Sequence, residues 1–323
     1  MKTFKQAGFT LVELMIAITL GLILVAVAIQ MLVSGQQNYR IQSSAASLQD
    51  SGLLGINYVT KNIRLANHGN ASIINDASLY GGIVLSNQTS STATPPADGN
   101  LKGLKIGTAE LSGNNLLSAS MNNDSAFSTF PKSDQLVIMY QAPMNTFTCD
   151  GKKVRGPIKT STTYAKGWYV IERYYISKDS TKSEANLNCS STMFIADGET
   201  VPQTYESQTI NAVNTLTTKY AENAGEIIAK NIEYMRVQLV VRNTNGSTRT
   251  LAVNDYKAIT TLPRLAVIGV NLGWLVRSSE KVAMAEKTEF KVLDQTITAA
   301  KDGYLRQVYT TTIAIRNGGL GDI

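Results

Sequence analysis

A single carboxylate, Glu13, stands at the edge of Leu14 to Val33, a run of twenty residues with no charge. A charge at that position in a bilayer is expensive and needs a partner. The chemistry open to Glu13 is therefore charge pairing during assembly within a membrane. Two cysteines, Cys149 and Cys189, lie forty positions apart with no third. In an exported chain they suggest one disulfide, and free buried thiols are the alternative. A closed loop of about 40 residues would contribute roughly 3–4 kcal/mol. The only histidine, His68, is far from both cysteines, so no zinc-ligand spacing exists. The sequence contains no phosphate loop, HExxH helix, EF-hand loop or GxSxG elbow. No catalytic residue, metal ligand or cofactor is nominated, and the expected protein is not an enzyme.

The element that positions Glu13 is a helix. Leu14 to Val33 spans roughly 30 Å as a helix, one hydrocarbon thickness. The pattern then continues through Ile41, Ala45, Leu48, Gly52, Ile56, Val59 and Ile63, at spacings of 4, 3, 4, 4, 3 and 4. That is one face of an amphipathic helix. Its other face carries Gln42, Ser43, Gln49, Asp50, Asn57 and Lys61. The rod is expected to stop near Asn67-His68-Gly69 after about 55–60 residues, or roughly 80–90 Å. Gly52 and Gly55 are expected to weaken it and mark a bend. An ordinary secretory signal cut near Ala26-Val27-Ala28 is a rival. Glu13 and the undisturbed downstream pattern speak against it.

The remainder reads as strands and loops. Charged residues make up only 17% of the 323 positions, which suits an extracytoplasmic surface. Net charge is +6; setting aside Lys2 and Lys5 leaves 28 basic against 24 acidic side chains, or +4. Such a surface permits an anionic partner such as DNA without favouring one. Residues 70–132 read as loops with short strands, including a low-complexity loop from Ser86 to Gly99. Leu136, Ile138 and Tyr140 share one strand face, and Trp168 to Ile176 is an aromatic-rich strand. Met235, Val237, Leu239 and Val241 alternate with polar neighbours before a turn at Asn245-Gly246. Ala266, Ile268, Val270, Leu272, Trp274 and Val276 form the longest one-faced alternation. Tyr309, Thr311, Ile313 and Ile315 form the last. Between Ser278 and Gly303 a polar loop with a helical turn is expected. The run Trp168, Tyr169, Arg173, Tyr174, Tyr175 could stack single-stranded nucleic acid, but its strand spacing favours core packing. The fold class is α+β, a long N-terminal helix packed on a mostly antiparallel sheet.

Leader, Gly8, Phe9-Thr10-Leu11-Val12-Glu13 and apolar helix together resemble the class III signal of type IV pilins and pseudopilins. That resemblance implies cleavage by prepilin peptidase between Gly8 and Phe9 and N-methylation of Phe9. It also implies that Glu13, the fifth mature residue, pairs with the Phe9 amine of a neighbouring subunit. Further segments resemble the PilW family of large minor pilins: Asn62-Ile63-Arg64-Leu65-Ala66, Ser133-Asp134-Gln135-Leu136-Val137, Cys149-Asp150-Gly151, Trp168 to Tyr174, and Arg306 to Asn317. Residues 70–130 and 190–230 carry little of the likeness. The implied organisation is a cleaved leader (1–8), a membrane and assembly helix (9–33), an amphipathic helix (34–69) and a β-rich periplasmic head (70–323). The implied protein has a type IV pilin-like fold and no cofactor. It is held in the inner membrane by one span, then carried into an extracellular pilus at its tip or initiating complex. Its implied partners are other minor pilins, the major pilin, prepilin peptidase, the inner-membrane assembly machinery and, before assembly, the lipid bilayer. Its implied role is to prime pilus assembly, supporting twitching motility, adhesion and DNA uptake. A minor pseudopilin of type II secretion and a pilus-carried DNA- or surface-binding module are the alternatives.

Overall fold

A computed structural model describes residues 8–90, 97–111, 113–123, 130–159, 164–178, 184–199, 201–222, 225–261, 263–282 and 287–317. The leader residues Met1 to Ala7, and positions 91–96 of the low-complexity loop, lie outside them.

One helix opens the chain. It comprises α1 (Leu11–Gln49), a π-helical turn (Asp50–Leu54) and α2 (Gly55–Ile63). Through Val33 it is apolar on every side, and no other described residue covers it; Leu24, for example, is 70% exposed. The span Leu11–Ile63 is long and apolar enough at its start to cross a membrane. Beyond Arg40 the helix buries Leu48, Ile56, Val59 and Ile63 against strands, so helix stability there comes from packing rather than propensity. At Gly52 the helix passes through a π-helical turn, Asp50–Leu54, a feature that commonly bends helices, and continues into α2 at Gly55. A Cβ at Gly52 would clash with the Tyr309 ring, and one at Gly55 would meet Ala229 at 2.9 Å. These glycines let helix and strands approach closely. The helix gives way to turns after Ile63, and Asn67 takes a φ of 65°.

Two antiparallel sheets receive that helix. The first contains β1 (Ala119–Asn123), β2 (Ser133–Gln141), β3 (Tyr169–Lys178), β4 (Ala185–Phe194) and β5 (Glu226–Ala229), each beside its sequence neighbour. The second contains β6 (Ile232–Arg242), β7 (Thr248–Ala252), β8 (Ala266–Lys281) and a closing strand, β11 (Tyr304–Ala314). Its order is β7-β6-β8-β11. The chain crosses between sheets at Asn231, where φ is 59°. A single apolar core joins α2, the Leu136–Ile138–Tyr140 face of β2 and the Met235–Val237–Leu239–Val241 face of β6.

Both sheets are covered on their second face as well. Val137, Met139, Tyr169, Ile171 and Phe194 pack under the irregular segment containing Val84, Leu101 and Leu117. All nine residues of β2 are therefore buried. Trp168, Tyr169, Tyr174 and Tyr175 are buried too, and Trp168 Nε1 donates to Pro202 O at 3.1 Å. The run is core, not a stacking platform. The second sheet is covered by a hairpin, β9 (Glu289–Val292) and β10 (Gln295–Thr298), which buries Phe290, Val292 and Ile297. This hairpin replaces the expected loop with a helical turn: Phe290 and Val292 alternate with Glu289 and Lys291, a strand pattern masked by charge. The long alternation in β8 also departs from expectation at its start. A register shift at Val240/Val241 changes the parity, so Val267 joins the core and Ile268 stays half-buried.

Candidate functional site

Gly8 and Phe9 precede the helix, and Phe9 is 90% exposed. Thr10 is the N-cap, with extended backbone. Its Oγ1 accepts from Glu13 N at 3.2 Å and donates to Glu13 Oε2 at 3.0 Å. The same carboxylate oxygen accepts from Thr10 N at 3.0 Å. This is a capping box, which satisfies helix-end donors reciprocally. The sequence reading missed it, although Thr-x-x-Glu before an apolar run is its signature. The box places the Glu13 carboxylate within one turn of Phe9 and aims it toward the start of the chain. Glu13 thus acts here as a local helix cap, with its carboxylate exposed.

The other half of the helix is fixed by a buried carboxylate that the sequence reading also missed. Glu172, from β3, is fully buried, and among the described residues no cation contributes to its environment. It accepts from Asn62 Nδ2 of α2 at 3.0 Å, Tyr174 OH at 2.6 Å, Tyr140 OH at 3.0 Å and the Cys149 amide at 2.8 Å. Burial raises its carboxyl above the usual carboxylate range, and the four donors hold that rise in check. Cys149 is joined to Cys189 by a disulfide, with Cα atoms 6.0 Å apart, and its carbonyl accepts from Tyr58 OH of α2 at 3.0 Å. Asp150, next in the chain, accepts from Ser191 N at 3.0 Å and Lys152 Nζ at 2.7 Å. Hydrogen bonds from Lys152, Ser191 and Thr148 outweigh burial and lower its carboxyl. Helix, disulfide and first sheet are therefore one polar network.

Two more networks hold the second sheet. Asp134 of β2 accepts from Val237 N at 2.7 Å and pairs with Arg236, which also pairs with Asp294 at 2.7 Å. Burial pushes the Asp134 carboxyl up to about 6, against the pull of Arg236. Arg306 of β11 bridges Glu233 at 2.7 Å and Asp302 at 2.6 Å. His68 Nδ1 lies 2.7 Å from Gln141 O, at the helix exit. The dispersed segments Asn62–Ala66, Ser133–Val137, Cys149–Gly151 and Trp168–Tyr174 thus converge around one docked helix, and Asn317 reaches Asn67 O through Nδ2 at 3.3 Å.

Comparison with known proteins agrees with this geometry. Residues 3–29 match the prokaryotic N-terminal methylation motif. Residues 173–317 match the family described as Type IV Pilus-assembly protein W, PilW. No match was found among curated proteins. Among solved structures, a type IV-like pilin from Thermus thermophilus is 10% identical, with 62% of this chain and 83% of that one covered. Its TM-score of 0.28 is too low a likeness to argue from. A methylation motif at the head of a long exposed apolar helix, docked on an antiparallel β head, makes a type IV pilin-like fold. The PilW match lies in the head, from within β3 to the residues that follow β11.

Proposed function

We propose that this chain is a minor pilin that primes or caps a type IV pilus. Prepilin peptidase would cut between Gly8 and Phe9, and the new Phe9 amine would be methylated. The carrying observation is the division of the helix: its first half is exposed on all sides, and its second half is pinned by Glu172 and the core. An apolar rod that no described residue of its own chain covers needs lipid before assembly and neighbouring helices after it. Glu13 would then pair with the cationic amine of an adjacent subunit. In low dielectric that attraction is strong and short-ranged, so it selects axial register. The head would face the periplasm while the chain waits in the inner membrane. Its partners would be other minor pilins, the major pilin and the assembly machinery, in support of twitching motility and adhesion. DNA contact loses its one sequence candidate because Trp168, Tyr174 and Tyr175 are buried.

A head of this size fits a tip or initiating position better than every repeat of a packed filament. Quantitative mass spectrometry of sheared pili should therefore find this chain far below one copy per major subunit. Near-equal stoichiometry would contradict the tip assignment.

A further inference from the structure

Where α2 ends, a cleft opens between the helix, the Pro143-Met144 turn and the end of β11. Two adjoining cavities of about 390 and 190 Å³ share Arg64, Leu65, Pro143, Met144 and Arg316 as walls. Lys61 lines the larger one. None of the ion pairs among the described residues involves Lys61, Arg64 or Arg316. Among the described residues, no carboxylate lines either cavity. The carbonyl end of α2 favours nearby cations and accounts for Lys61 and Arg64. It does not account for Arg316, which arrives from the far end of the chain. The Thr60 hydroxyl, in the wall of the larger cavity, is buried without a hydrogen-bond partner among the described residues.

We infer that this cleft is a docking site for an acidic, apolar loop of a neighbouring pilus subunit. The inference rests on the pilin reading and adds a surface and a partner chemistry to it. Charge complementarity selects the occupant: two arginine forks and a lysine match carboxylates, and Arg binds them in a bidentate way. Leu65, Pro143 and Met144, the last 65% exposed, offer an apolar wall for one adjoining side chain. A peptide suits the cleft better than nucleic acid. The volume holds a few side chains, and among the described residues no Phe, Tyr or Trp ring lines it for base stacking. The contact would be set apart from the Glu13 pair, at the head end of the same helix, so one subunit would be gripped at two levels.

Photo-crosslinking tests this in piliated cells. The full chain carries benzoylphenylalanine at position 144, and crosslinked peptides are mapped by mass spectrometry. The expected product is a peptide of another subunit with Asp or Glu within four residues of the attachment. Its yield should fall at least about fivefold in Arg64→Gln/Arg316→Gln and persist in Arg64→Lys/Arg316→Lys, which keeps the charge. The inference is overturned by attachment to nucleotide, to lipid, or to residues 318–323 of the same chain, or by a yield unchanged in the Gln pair. The Phe9 terminus is read in the same digest. A methylated Phe9 without the crosslink sinks the cleft alone; a chain lacking that terminus sinks the pilin reading and the cleft with it.

Discussion

Replacing Glu13 by Gln is expected to leave cleavage and methylation at Phe9 intact while incorporation into pili falls by about tenfold or more. Gln retains a side-chain acceptor for Thr10 N and serves as well as Glu in a capping box. It cannot pair with a cationic amine. Truncating or neutralising one partner of a desolvated charge pair costs affinity on that scale. Glu13→Ala removes both cap and charge and should assemble no better. The comparison therefore separates the cap made with Thr10 from the proposed charge pair. Immunoblots of sheared pili against total membranes provide the measurement. Full incorporation of the Gln variant would show that Glu13 serves as a helix cap only.

Glu172→Ala should be the most destabilising single change in the head, on the order of 3 kcal/mol or more. It removes the acceptor of Asn62, Tyr140, Tyr174 and the Cys149 amide together. Each buried donor left unpaired costs about 1–3 kcal/mol, and the methylenes lost add a cavity. Glu172→Gln is milder and has a different signature. The folded state raises this carboxyl, so the folded chain holds its proton more tightly than the unfolded chain does. The stability from that tighter grip is whole below the unfolded carboxylate pKa of about 4.3 and is lost as pH rises through the raised value. Gln cannot titrate, so that part of the decline should vanish. Asp134, pushed up to about 6, contributes its own decline in both proteins. Denaturant midpoints of the detergent-solubilised chain, measured from pH 4 upward, give the comparison. Parallel curves for wild type and Glu172→Gln would show that Glu172 does not titrate as its burial requires.

Local pattern made much of this legible, and tertiary contact hid the rest. Glu13 stood out because a charge breaks an apolar run, but its capping partner went unremarked. The helix face from Leu48 to Ile63 follows from spacing alone. The reason for Gly52 and Gly55 does not, because Tyr309 and Ala229 reach them from distant strands. Ile268 was assigned to the core by parity, and parity failed where β6 and β8 slip register. The β9–β10 hairpin turns at Leu293, with a φ of 54° and no Gly or Asn to announce it. Glu172 sits in an aromatic strand whose own Tyr174 donates to it, but its other three donors come from three distant stretches of chain. The Cys149–Cys189 bridge was readable from count and export context, yet its link to α2 through Glu172 and Tyr58 was not.

The central claim is that the Gly8-to-Glu13 junction makes this chain a processed pilin subunit. Mass spectrometry of the mature N-terminus tests it most directly. The account predicts a chain that begins with N-methylated Phe9. A chain beginning at Ile29, after Ala26-Val27-Ala28, or one retaining Met1, would contradict it.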